Sequence, residues 1–292
     1  MNSGKGFSFI EALNYHVWQP CNMKCGYCFA EFAGTVAKLR QDKELLKQRS
    51  LKVVQAAADA GIKKITFVGG EPTLCPWLAE LLELSKRLGL VTMLVTNGSR
   101  IDAPWLQKHA GLLDWVAVSV DSLNKNTNSA IGRFVGRSLK PDNLYYQQLF
   151  ARLSGNGIRI KINTVVSAFN WQEDFSEFLA EVRPERWKVL QALHIRGEND
   201  KAFPHSSTTP EQFEAFVQRH RKVALWLTLA AEDNESMIGS YLMVDPLGRF
   251  FTNIGNVHKY SQPIWQCGWD AARNEIEVSR KKFLARGGLY NW

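Results

Sequence analysis

Cysteine is scarce in this chain, five in 292 residues, and three of the five fall within eight positions near the N-terminus. So few thiols, so unevenly spread, exclude a disulfide framework; an odd count with tight local spacing points to metal ligation in a reducing compartment. No apolar run approaches the ~20 residues of a membrane span. Met1 to Lys5 leads into mixed polar sequence, so neither a secretory signal nor a membrane anchor is expected, and a cytoplasmic protein is. No internal repeat is present. Acidic residues are outnumbered, 28 against 36 Lys and Arg, for a formal net charge of +8. That balance favours anionic partners. A hydrophobic share of 45% and a charged share of 22% are values of a globular chain with a sizeable core.

The periodicity alternates between strand and helix. Strands are expected at Leu13–Trp18, Lys64–Val68, Val91–Thr96, Trp115–Val120, Ile158–Val166 and Trp187–His194. Helices are expected at Asp42–Ala60, Trp77–Leu88, Ala103–Ala110, Asn143–Leu153 and Phe175–Val182. Six strand–helix units in succession imply a parallel sheet with helices outside it: an α/β fold, a partial (βα)6 barrel with its chemistry at the C-terminal strand ends. Residues 1–200 would form the barrel and 201–292 a C-terminal extension. In the extension, 201–215 reads as a surface insertion, Tyr241–Val244 and Arg249–Thr252 as a hairpin, and the end as a basic tail closing over substrate.

Cys21, Cys25 and Cys28 follow the first strand with the spacing CxxxCxxC. Three thiolates on one short loop can each take one iron of a cubane and leave the fourth iron open. A zinc site usually needs two paired knuckles; His16 could add a fourth ligand, but no second knuckle exists. Cys75 and Cys267 stand apart and read as ordinary buried thiols. Gly69-Gly70-Glu71-Pro72 follows the second strand, where two glycines would admit a ligand to the backbone and a carboxylate could accept from an amine. Asn97 ends the third strand, Ser119 and Asp121 the fourth, and Arg133 could fork onto a carboxylate. For Asn97 and Asp121, turn capping is the competing reading. Arg186 and Lys188 alternate with Trp187, so both share one face of a strand; a basic pair facing inward is costly unless an anion meets it.

These segments resemble the radical S-adenosylmethionine (SAM) superfamily. The resemblance implies a [4Fe–4S] cluster on Cys21, Cys25 and Cys28, and S-adenosyl-L-methionine held by Tyr27, Gly69, Gly70, Glu71, Asn97, Ser119, Asp121 and Arg133. Further segments resemble the viperin family of antiviral nucleotide dehydratases over nearly the whole chain. They are Asn14-Tyr15-His16, Lys161-Ile162-Asn163, Arg186-Trp187-Lys188-Val189, Gly197-Glu198-Asn199, Ser240-Tyr241-Leu242 and Phe283 to Gly288. That resemblance implies a lyase converting a ribonucleoside triphosphate (CTP, UTP or GTP) to its 3′-deoxy-3′,4′-didehydro analogue, an RNA chain terminator. It implies Lys64, Lys161, Arg186, Lys188 and Arg286 as triphosphate ligands, Asn14 and Asn163 as substrate-orienting amides, and Tyr241 as a late hydrogen donor. It also implies a flavodoxin- or ferredoxin-type electron donor and a monomer. The amphipathic N-terminal helix of vertebrate members is absent, and the chain stops at Tyr290-Asn291-Trp292; both suit a soluble, prokaryotic-type member with no membrane partner. A radical SAM enzyme acting on another nucleoside precursor or on RNA is the rival enzyme reading. An iron–sulfur interaction protein is the rival of another class. No RNA-binding module or aromatic–basic interleaving is present, so no stable nucleic-acid partner is expected.

Overall fold

The structure, a computed structural model, describes residues 10–32, 34 and 42–292. The Met1–Lys5 stretch lies outside them. Parallel strands β1 (Ala12–Trp18), β2 (Lys64–Gly69), β3 (Val91–Thr96), β4 (Trp115–Ser119), β5 (Arg159–Val166) and β6 (Arg186–Gln191) stand side by side in chain order. The expected sixth strand is shorter at its C-terminal end than the sequence pattern suggests. Helices α1 (Lys43–Asp59), α2 (Leu78–Arg87), α3 (Ala103–His109), α4 (Lys125–Ile131), α5 (Asn143–Gly155) and α6 (Ser176–Val182) intervene. Local chemistry marks their starts: the Asp42, Asp102 and Asp142 carboxylates accept from the backbone N–H of Glu44, Trp105 and Tyr145 at 2.9, 2.8 and 3.0 Å.

A further parallel strand, β7 (Thr228–Glu232), adds to β6 with Leu190 opposite Glu232. The sheet therefore does not end at residue 200. The stretch expected as a surface insertion carries the short Phe203–Ser206 helix and enters a helix at Pro210–Arg219, which a Thr209–Gln212 capping box starts. Beyond β7, β8 (Met243–Val244) and β9 (Arg249–Thr252) form the expected hairpin, with Met243 opposite Phe251, and β10 (Lys259–Pro263) extends it. β8 returns to lie parallel to β1, Met243 opposite Asn14. The order β10-β9-β8-β1-β2-β3-β4-β5-β6-β7 leaves the sheet open.

Period-two alternation divides every parallel strand between two faces. Leu13, Tyr15 and Val17, then Ile65 and Phe67, Val116 and Val118, Ile160 and Ile162, and Trp187 and Val189 belong to the one large apolar core under the helices. The residues between them, Asn14, Lys64, Lys161, Asn163, Arg186 and Lys188 among them, consequently face the concave side. There Met93, Trp115 and Ala117 meet Tyr290 and Trp292 of the C-terminal tail. The tail thus lies against the N-terminal ends of the strands.

Candidate active site

Two networks occupy the concave face. The first gathers at the C-terminal ends of β1 to β4, around the cysteine loop. That loop is zipped to the segment after α4: Lys24 N–H donates to Gly132 O and Gly26 N–H to Ile131 O, both at 3.0 Å. A Cβ at Gly132, whose φ is +94°, would come within 2.1 Å of Lys24 O. The glycines after β2 serve the same contact. A Cβ on Gly70 would come within 2.0 Å of Gln19 O, and one on Gly69 within 2.2 Å of Trp18 O. Their freedom admits the segment that leads into the cysteine loop.

Glu71 is tied into the same corner. Its carboxylate is 1% exposed, accepting from Thr73 N–H (3.0 Å), Thr73 Oγ1 (2.5 Å), Thr96 Oγ1 (2.8 Å) and Asn97 N–H (2.9 Å). It ties the end of β2 to the end of β3, with three of the four bonds on Oε1 and only Asn97 N–H on Oε2. Asn97 in turn donates to Asn22 Oδ1 at 2.9 Å and lies with its amide 4.0 Å from Cys21 Sγ. Asp121 is buried, accepting from Val165 N–H at 2.7 Å, from the Tyr27 hydroxyl, and from Arg133 Nη1 at 2.8 Å. Arg133 also donates to Ser119 O at 2.6 Å and reaches Cys25 Sγ at 3.7 Å. Its guanidinium is held by this set, with Nε buried and unpartnered.

Burial pushes all three loop thiols up, Cys25 to about 11 and Cys28 to about 12. Thiolates form here only beside added positive charge, which a metal group supplies. Among the described residues no three His, Cys, Asp or Glu side chains converge on a single ion. His16 is no fourth ligand: its ring lies edge-on to Phe32 and Phe251 at 5.2 and 5.3 Å, and burial drives it down to about 3. Cys75 is buried as expected, whereas Cys267 is exposed.

The second network fills the concave face over β5, β6 and β7. Register sets Lys161 beside Arg186 and Asn163 beside Lys188. Lys64, Lys161, Arg186 and Lys188 are each no more than 8% exposed, as is the Arg286 side chain from the tail. Burial, then the neighbouring cations, hold Lys64 and Lys161 well below the usual lysine range; burial lowers Lys188 to about 8. Lys64 donates to Tyr290 Oη at 3.0 Å and sits 4.2 Å over both the Tyr290 and Trp292 rings. Arg186 donates to Gly287 O at 2.8 Å. Asn163 Oδ1 and Arg186 Nε are buried with no partner. Asn14 donates its backbone N–H to Leu242 O at 2.9 Å.

One acid enters this cluster, and sequence reasoning missed it. Glu232, fully buried at the end of β7, pairs with Lys188 at 2.8 Å and Arg286 at 3.5 Å and accepts from the Tyr241 hydroxyl. Its signal was faint because β7 (Thr-Leu-Ala-Ala-Glu) contains the alanine and glutamate that strands disfavour. Tyr241 also accepts from Lys188 Nζ, and Arg286 stacks 3.6 Å over its ring. The tail lysines do not join: Lys281 is exposed and Lys282 pairs with Glu235 at 2.5 Å.

The profile of the Radical SAM superfamily matches residues 16–182. An S-adenosylmethionine-dependent nucleotide dehydratase of Flammeovirga pacifica is 42% identical over 287 residues, covering 98% of this chain and 98% of that protein. One of the same name from Lacinutrix mariniflava is 42% identical over 285 residues, 98% of this chain but 59% of that longer protein. Among solved structures, Streptococcus suis SuiB bound to S-adenosylmethionine matches at a TM-score of 0.68 and 16% identity, over 96% of this chain and 68% of that one. At that identity the likeness is one of fold. No helix among the described residues is long and apolar enough to cross a membrane.

Proposed function

The chain belongs to the Radical SAM superfamily and, within it, to the S-adenosylmethionine-dependent nucleotide dehydratases, and from that premise we propose that it dehydrates the ribose of a nucleoside triphosphate to the 3′-deoxy-3′,4′-didehydro nucleotide. Cys21, Cys25 and Cys28 would hold the [4Fe–4S] cluster. Three thiols on one loop, with the Arg133 guanidinium against one of them and the Asn97 amide near another, are a donor set that fits it. When bound, the cluster and S-adenosylmethionine supply the electron and the hydrogen-abstracting radical.

The observation that carries the nucleotide reading is the second network. Five cations lie on one face with a single carboxylate among them, and Lys161 makes no ion pair among the described residues. Such a set is unstable alone and suits a ligand with several negative charges, as a triphosphate has. Lys64, Lys161, Arg186, Lys188 and Arg286 would bind the phosphates, and the tail aromatics over Lys64 would exclude water from the N-terminal mouth. Asn163 Oδ1 and Asn14 would accept from or orient the sugar. Tyr241, between Lys188 and Glu232, would present a hydroxyl proton to the reacting sugar. Tyr27, Ser119 and Asp121 would shape the S-adenosylmethionine pocket. In this reading the Gly69–Gly70 and Glu71 contribution is the backbone they fix, with the Glu71 carboxylate as a staple. A flavodoxin- or ferredoxin-type protein would deliver the electrons to a monomeric enzyme.

Calorimetric titration tests the site. CTP, UTP or GTP should bind far more tightly than the corresponding nucleoside; equal affinities would remove the reading.

A further inference from the structure

Glu232 has no place in the reading so far. Stability alone does not account for a buried carboxylate here, because a buried ion pair seldom outdoes an apolar pair of the same volume. Its position says more. Glu232 receives Lys188 on Oε1 and Tyr241 on Oε2, with Arg286 3.5 Å from Oε1. It is the one acid paired with Lys188 among the described residues. Tyr241 accepts from Lys188 while donating to Glu232, so the direction of its O–H is fixed by the same two groups.

We infer that Glu232 is the internal counter-ion of the triphosphate site, holding Lys188 and Arg286 aimed and charged before the nucleotide arrives and releasing them to phosphate oxygens when it does. The inference rests on the nucleotide reading above. The groups facing Glu232 are Lys188 and Arg186 from β6, Lys161 from β5, Tyr241 from the segment before β8, and Arg286 from the tail. All but Tyr241 are cationic, so the carboxylate acts against their mutual repulsion. Burial pushes Glu232 up, yet Lys188 and Arg286 outweigh it and keep the carboxyl below the ordinary range. Glu232 is therefore a positioning residue, acting through Lys188 and Tyr241.

The test is the pH profile of triphosphate binding, measured by calorimetry with the least hydrolysed nucleoside triphosphate the native protein binds. In the native protein, affinity should show a break near pH 8, falling by up to about tenfold per pH unit as Lys188 must be reprotonated to bind, on top of the slope that Lys64 and Lys161, also held below the usual lysine range, add. In Glu232→Gln the break should move at least roughly one pH unit lower, because Lys188 loses the partner that keeps it charged. Near pH 6 the variant should bind at least as tightly as the native protein, since no carboxylate then repels the phosphates, and Glu232→Asp should restore most of the native break. Parallel profiles for native and Glu232→Gln would overturn the inference. Should Glu232→Gln not fold, the double variant Glu232→Gln/Lys188→Met removes both charges; its binding should be weaker but show no break near pH 8, and a break left in place would overturn the inference equally. Failure of the native protein to prefer triphosphate over nucleoside would instead strike the nucleotide reading.

Discussion

Lys161→Met should make the ligand-free protein more stable and the nucleotide weaker-binding. The lysine lies on β5 facing Arg186 and Lys188, 8% exposed, and makes no ion pair among the described residues, with Glu232 acting on it only at longer range. In the free protein its ammonium is a desolvated charge among like charges, so an apolar side chain of similar length should gain about 1–4 kcal/mol. The sign with pH follows from linkage. Lys161 is held below its unfolded value, near 10.4, by burial first and by Lys188, Lys64 and Arg186 next. The unfolded chain therefore binds more protons between the two values, and native stability rises with pH across that window. The variant lacks this penalty, so its advantage should be full below the folded-state value of Lys161 and fade as pH rises toward ~10.4. Loss of one charged hydrogen bond to phosphate should cost about 1.5–3 kcal/mol, or about 10- to 150-fold in affinity. Urea denaturation at several pH values and titration with triphosphate measure the two effects. A variant that loses stability and keeps its affinity would refute the reasoning, because Lys161 would then be an aliphatic packing residue.

The remaining predictions concern the loop and the tail. Gly70→Ala places a methyl within 2.0 Å of Gln19 O and 2.5 Å of Pro20 O, so it should displace the cysteine loop and lower iron incorporation on reconstitution; native iron content would contradict the packing argument. Cys25→Ala should keep the native far-ultraviolet circular dichroism and lose the broad cluster absorbance, while a variant that reconstitutes like the native chain would remove Cys25 from the ligand set. Trp292→Ala opens one side of the pocket over Lys64 and should weaken triphosphate binding about two- to fivefold, in line with about 0.5–1 kcal/mol for a cation–π contact; unchanged affinity would show that the tail has no part in the site.

The two faces of each strand were legible because hydrophobic alternation needs only local sequence. Trp187 and Val189 against Arg186 and Lys188 already fixed which side chains could meet. The cysteine spacing was legible for the same reason, since one loop carries it. What escaped was long-range. The bonds that fix Glu71 depend on Thr96 and Asn97 from the next strand, and the glycines of that segment accommodate Trp18 and Gln19. β7 escaped because its burial is uneven at an edge and its composition is poor for a strand, and Glu232 escaped with it. Arg133 was placed near the pocket, but its partners Asp121 and Cys25 came from segments no local pattern connects to it.

The most direct test of the account is turnover. Protein reconstituted anaerobically with iron and sulfide, then reduced, should consume S-adenosylmethionine and convert one of CTP, UTP or GTP to a product lighter by one water, while the matching nucleoside stays largely unchanged. Cleavage of S-adenosylmethionine with no dehydrated triphosphate from any of them, or equal conversion of the bare nucleoside, would contradict it.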